Sequence, residues 1–296
     1  MATTKQFREQ IKTLKADFDA LKKGKESLLS MIDEAEIPES VYNSNAIENS
    51  TLTLKETEKI LLEQELARDV SLREVFEAKN LAQVVDYKRG KAITEEVSKE
   101  LILLLHKMLI GGIDDAIAGR WRKAGEYVRV GTHVAPPPEH VERLIDEIML
   151  EYSSELDKYF LDKIAKWHLD FESIHPFNDG NGRIGRVIVN FQLLRLGFPR
   201  LIVRNKEKTN YYRAFDDYRE KKNTKTMEKI LALMLIESLY KRVTYLKGEN
   251  IVSLSEYIKK NNLSASAITN AARRQSIPAF REKGVWKIGE GFSYKQ

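Results

Sequence analysis

Between a glycine-rich turn at 180–182 and a stop at 197–199 runs "RIGRVIVNFQLLRLG", which has helical length and is almost wholly apolar after its first turn. A helix that is apolar on every side cannot lie on a surface, so it must be a central element with others packed round it. Gly197 and then Pro199 end it. Other segments carry the one-sided pattern that its packing partners need. Phe7, Ile11, Leu14, Phe18 and Leu21 fall at helical spacing and predict one amphipathic helix over about residues 4–32. "PESVYNSNAIENS" reads as a short helix that Asn49 stops, and "TLTLKETEKILLEQELA" as a helix opened by hydroxyl caps, with more helix through about residue 90. "TEEVSKELILLLHKML", "EHVERLIDEIMLEYSSEL", "DKIAKWHLDFESIH", "TNYYRAFDDYREKK" and "MEKILALMLIESLYKRVTYL" repeat the helical period. Residues 111–138 break that texture, with glycines, alternation around Tyr127–Val134 and three prolines, and predict a β-hairpin or flap in a mainly α protein.

Bulk properties exclude several classes. With 296 residues, 42% hydrophobic and 31% charged, the chain can bury a substantial core. It has no cysteine, so disulfides and thiolate metal sites are excluded and a reducing, cytoplasmic setting is expected. The first residues lack the apolar run of a secretory signal. "LILLLHKMLIGGI" is too short to span a bilayer and is interrupted by His106 and Lys107, so no membrane partner is expected. The formal charge of +5 admits anionic ligands without requiring nucleic acid.

Chemistry concentrates in "SIHPFNDGNGRIGR", residues 173–186. His175 precedes Pro176 and so leaves the helical region, which makes the segment a loop. Gly180, Asn181 and Gly182 can turn several N–H groups toward one point, at the N-terminus of the apolar helix. Together they form an anion cradle suited to phosphates. Arg183 and Arg186, three residues apart, share a helix face and could hold polyphosphate oxygens. Asp179 would repel bare phosphate, but fits if Mg²⁺ lies between them. His175 is the group able to take a proton near neutral pH, and Phe177 should pack beneath the loop. The plain alternative is a structural histidine with Asp179 as a cap.

The run resembles the signature of the Fic (filamentation induced by cAMP) family, HPFx(D/E)GNGRxxR, at every specified position: His175, Pro176, Phe177, Asp179, Gly180, Asn181, Gly182, Arg183 and Arg186. The resemblance covers roughly residues 40–230 and implies a Fic-fold helical bundle with a β-hairpin flap. It implies an enzyme that transfers AMP from ATP to a Tyr, Ser or Thr hydroxyl of a target protein. In that reading His175 is the base, Asp179 holds Mg²⁺, and Gly180, Asn181 and Gly182 form the anion hole. Arg183 and Arg186 take the phosphates, and Tyr211 and Tyr212 line the nucleotide pocket or merely pack. Arg219 stands where relatives often have asparagine. The flap, about 126–134 with Val130, Gly131, Thr132 and His133, would receive the target as an added strand. "SNAIEN" resembles the family's inhibitory pattern (S/T)xxxE(G/N), with Ser44, Glu48 and Asn49, and implies a Glu48–Arg186 pair that denies the arginine to the γ-phosphate. Removal of AMP from the target by the same site stays open.

The expected organisation is an N-terminal helical region over 1–95, with the inhibitory helix at about 40–50, a catalytic core over 96–245, and a small module over 250–296. The module resembles helix-turn-helix and wing units of excisionase type, mainly through two short helices and "REKGVWKI". About eight basic residues face three acidic ones there, with Arg273, Arg274 and Lys287 as candidate DNA contacts; protein contact or simple packing stays open. A DNA-binding regulator with an idle Fic fold is thus the alternative function. The apolar stripe of the first helix could support a homodimer.

Overall fold

The structure, a computed structural model, describes residues 4–65, 70–91 and 96–294. Where one long N-terminal helix is expected there are two, α1 (Lys5–Leu21) and α2 (Glu26–Ala35). Gly24 parts them at φ +72°; an added Cβ would meet nothing there, so its backbone angle, not space, calls for glycine. Next come α3 (Ile37–Ile47) and α4 (Leu54–Glu58), the latter opened by a capping box of Thr53 and Glu56. A π-helical turn, Lys59–Glu63, continues α4 and ends on left-handed Gln64. Then follow α5 (Leu72–Lys91) and α6 (Lys99–Ile110), the latter capped by Ser98.

A two-residue turn joins β1 (Arg129–Val130) to β2 (His133–Val134), with Val130 opposite His133. The expected flap is therefore a short antiparallel hairpin in a mainly helical fold. After it come α7 (Val141–Ser154), α8 (Phe160–Ile174), α9 (Asn181–Arg195), α10 (Lys208–Lys221) and α11 (Lys225–Leu246).

Helix α9 is the predicted apolar helix, and it is central. Its Val189 and Leu193 belong to one core with Ile11, Leu14 and Phe18 of α1 and the inner faces of α10 and α11. Its Ile184, Val187, Ile188 and Phe191 belong to a second core with α5, α6 and α7. Helix α8 divides in the same way: Leu161, Ile164 and Leu169 face the first core, Trp167, Phe171 and Ile174 the second. Each such side chain contributes about 1.5–3 kcal/mol by leaving water. The α8–α9 pair is thereby clamped on both sides, and the loop joining the two helices is held at a fixed place.

Residues beyond α11 form β3 (Ile251–Ser253), α12 (Leu254–Lys260), α13 (Ala265–Arg273), β4 (Ala279–Glu282) and β5 (Val285–Gly289). The three strands make an antiparallel sheet in the order β3-β5-β4. This unit has a small core of its own around Leu254, Tyr257, Ile268 and Ile288. It also packs on α11, with Phe280 fully buried against Tyr245 and Arg281 bonded to Glu237. The α1 stripe lies along α11, so the apolar face considered for a homodimer is covered within the chain. No described helix is long and apolar enough to cross a membrane.

Candidate active site

Helix α8 ends at Ile174, and His175 caps it in the left-handed region, φ 51° and ψ 62°. The proline that follows was expected to push His175 out of the helical region, and it leaves by the left-handed route. Arg122 holds it there. This buried guanidinium donates to the carbonyls of His175 at 2.8 Å, Ile174 at 3.3 Å, Pro136 at 2.8 Å and Glu126 at 2.9 Å, while its own N–H donates to Pro176 O at 3.0 Å. One side chain thus ties the end of α8 to the base of the flap segment. His133 Nε2 lies 2.8 Å from Ser173 O and adds a tie from the flap itself. Nothing in sequence spacing distinguishes Arg122 from its neighbours Arg120 and Lys123.

The loop is built on Phe177, which is fully buried and stacked on His106 at 3.7 Å and on Trp121 at 5.0 Å. His106 also bridges backbone groups: Gly119 N donates to its Nδ1, and its Nε2 meets Asp179 O, both at 3.0 Å. Burial pushes its pKa down to about 4, so it stays neutral. Gly180 sits at φ +82°, and a Cβ would press on Leu109 at 3.1 Å and Ile110 at 3.2 Å. Asn181, expected in the anion hole, turns its side chain inward. Its Oδ1 accepts from Phe177 N at 2.9 Å and its Nδ2 donates to Phe177 O at 2.8 Å. Its amide closes the loop, and Gly180 N donates to Asp179 Oδ1 at 2.5 Å.

The two arginines diverge to different partners. Arg183 is buried and pairs with Asp179 at 2.9 Å and Glu77 at 3.4 Å. Arg73 meets the same two acids, at 2.5 Å and 3.1 Å. Arg73 and Glu77 come from α5 and carry no sequence mark of this role. Arg186 points to α3. Its Nε donates to Ser44 Oγ at 3.0 Å, and its Nη2 donates to Ser44 O and Glu48 Oε1, both at 2.9 Å. Room for that carboxylate exists because residue 182 is glycine: a Cβ there would lie 2.2 Å from Glu48 Oε1. Asn49 takes φ 70° and accepts from Lys208 Nζ at 2.8 Å, ending the α3 segment.

Tyr212 is part-exposed and donates to Ile47 O at 3.0 Å, so it holds the same α3 end. Tyr211 is 1% exposed, with its hydroxyl 2.5 Å from His168 Nε2. It packs in the first core, the alternative left open for it beside lining the nucleotide pocket. The Tyr212 ring lies 6.1 Å from it, about 100° further round the helix. Arg219 donates to Glu172 O at 3.4 Å. Of the flap candidates, Gly131 turns the hairpin at φ +59° and Thr132 is exposed beside it. In the C-terminal unit Arg273 and Arg274 are exposed, while Lys287 pairs with Glu282 at 2.6 Å.

For Mg²⁺, the described residues hold no group of three or more acidic, histidine or cysteine side chains placed to hold a metal ion. Asp179 is the one carboxylate of the loop, part-exposed beside the cradle. This fits a cation that takes one protein carboxylate and completes its shell with phosphate oxygens and water.

Residues 96–193 match the sequence model of the Fic/DOC family. A curated relative from Nematostella vectensis, Protein adenylyltransferase Fic, is 32% identical over 177 residues, which is 58% of this chain and 41% of the relative. Protein adenylyltransferase fic-1 of Caenorhabditis elegans is 27% identical over 243 residues, 80% of this chain and 44% of that protein. The chain thus spans less than half the length of these relatives. The crystal structure of a Fic domain containing signaling protein from Bacteroides thetaiotaomicron VPI-5482 superposes with a TM-score of 0.75 at 25% identity, over 81% of this chain and 98% of that one. A Fic family protein from Desulfovibrio desulfuricans G20 shares the fold over 97% of both chains, with a TM-score of 0.66 at 21% identity.

Proposed function

From a chain whose residues 96–193 form a Fic domain, we propose a protein adenylyltransferase that moves AMP from ATP to a Tyr, Ser or Thr hydroxyl and is restrained by Glu48. The observation that carries the reading is the placement of Arg186, buried and bonded to Ser44 and Glu48 at the mouth of a glycine turn. Curated relatives named as adenylyltransferases support the reaction class.

The chemistry follows from the site. The N–H groups of residues 180–182, at the N-terminus of α9, receive phosphate oxygens. Asp179 would hold Mg²⁺, which supplies charge neutralisation of the phosphates. His175 takes the proton of the target hydroxyl, whose oxygen attacks the α-phosphorus as pyrophosphate departs. A target segment pairing with the β1–β2 hairpin brings that hydroxyl to the histidine. With Glu48 on Arg186 the γ-phosphate loses its anchor and the α-phosphorus is not aligned for attack.

Replacing the acid by Glu48→Gly should raise AMP transfer by at least about tenfold, the effect of ~1.4 kcal/mol at the barrier. Intact-mass analysis after incubation with ATP and Mg²⁺ reads it directly: a gain of one AMP unit supports the proposal and an unchanged mass overturns it. In that background His175→Ala should abolish labelling while ATP binding, followed by calorimetry, persists.

A further inference from the structure

We infer that Glu172 is a positioning residue for His175, its carboxylate facing the ring nitrogen opposite the one that takes the substrate proton. The inference rests on the transfer reaction proposed above. Glu172 Oε2 lies 3.9 Å from His175 Nδ1, one helical turn away on α8. Both groups want what the other has. His175 Nδ1 is buried with no hydrogen-bond partner; Glu172 is 7% exposed, and its other oxygen, Oε1, is unpartnered toward Gly185 and His168. A buried ring nitrogen left unmade beside a buried carboxyl group is costly unless the site uses it. A shift of about 1 Å would close the gap to a charge-assisted bond.

The space for this carboxylate is made by a third glycine. A Cβ at Gly185 would lie 2.7 Å from Glu172 Oε1 and 2.7 Å from His168 Cε1. Glycine is otherwise a poor residue in a central helix. The groups facing Glu172 are His168 and His175 of α8, Arg186 of α9, Glu48 after α3 and Arg219 of α10.

The step balances as follows. The substrate O–H bond breaks, its proton goes to His175 Nε2, and its electron pair forms the new O–P bond. The P–O bond to pyrophosphate breaks and pyrophosphate carries that pair away. The imidazole, already protonated at Nδ1, becomes a cation. Glu172 takes no proton; its negative charge steadies that cation, and the ring later releases its proton to water. Burial holds His175 down at about 4, so without a facing anion it is a weak base. Burial first, then the Glu48 charge, pushes Glu172 up to about 8, against the pull of Arg186 and Arg219. With Glu48 seated, Glu172 therefore keeps its proton near neutral pH. Departure of Glu48 removes a negative neighbour and favours the carboxylate. Glu48 would then restrain two steps at once, the grip of Arg186 on phosphate and the basicity of His175.

The test uses the Glu48→Gly protein, with auto-modification by labelled ATP followed across pH. Glu172→Gln should lower kcat by about tenfold or more, within the range spanned by general-base catalysis, and leave ATP affinity within about twofold. The ring loses its facing anion, so its protonated form is less stable and the acidic limb of kcat should move to lower pH. Glu172→Asp should restore part of both. An unmoved limb, or a parallel loss of kcat and ATP affinity, would mean that Glu172 only packs and overturns the inference. If thermal melting shows the Gln variant unfolded, the Asp variant is read against the same criterion. A Glu48→Gly parent that transfers no AMP would instead remove the reaction itself, and this assignment with it.

Discussion

Arg122 shows how one buried cation can place a histidine, here the proposed base His175. Four carbonyls converge on its guanidinium, from the end of α8 and from both ends of the flap segment. Hydrogen bonds to a charged group contribute about 1.5–3 kcal/mol each when lost singly, and the carbonyls left behind would be buried. Arg122→Ala should destabilise the protein by about 3 kcal/mol in urea unfolding and depress transfer in the Glu48→Gly background, because His175 would relax from its left-handed angle. Gly182 acts at the same scale by omission: its missing Cβ is where the Glu48 carboxylate sits.

At the scale of elements, the loop between α8 and α9 is rigid because both helices are buried on two sides. Truncating Phe191, fully buried in α9, should cost about 3–5 kcal/mol. The N-terminal helices behave differently. Gly24 separates α1 from α2 at φ +72° in open space, so Gly24→Ala should cost about 1–2 kcal/mol from backbone strain alone. Chemical denaturation of both variants would separate packing from strain. Helix α3 is held by Ile47 and Val41, one in each core, and by polar contacts. Asn43 Oδ1 accepts from Asn205 N at 3.0 Å, and Tyr212 and Arg186 fix its far end.

Across the whole molecule, buried charges link the N-terminal helices to the C-terminal unit. Arg242 contacts Asp33 at 2.5 Å and Glu36 at 2.6 Å, and Lys241 contacts Glu36 at 2.9 Å and Glu282 at 3.1 Å. The turn after β4 reaches α3 directly, with Lys283 N donating to Glu39 Oε2 at 2.9 Å. Burial pushes the Glu36 carboxyl up, but Arg242 and Lys241 overcome it and hold it down at about 2. A lowered folded value means that this stabilisation is complete above about 4.5 and fades as pH falls toward about 2. Glu36→Gln should therefore cost about 3–5 kcal/mol at neutral pH by stranding its cations. It should also flatten the fall in stability through that acid window, read by urea titrations at successive pH values.

Reading residues in order was enough for the central helix, the hairpin and the loop at 175–186, because each is carried by local pattern, while the Glu48–Arg186 pair came only from the resemblance. Runs of apolar residues, a proline after histidine and glycines round asparagine constrain the backbone wherever they occur. Only the folded chain decided that Tyr211 is buried while Tyr212 meets α3, that Asn181 closes its own loop, and that Arg73 and Glu77 embrace Asp179 and Arg183. It likewise decided that Arg122 and Glu172 stand behind His175. These depend on which faces of distant helices meet. A charged residue in an ordinary helix carries no sign of its partner until packing excludes water and leaves one neighbour within reach.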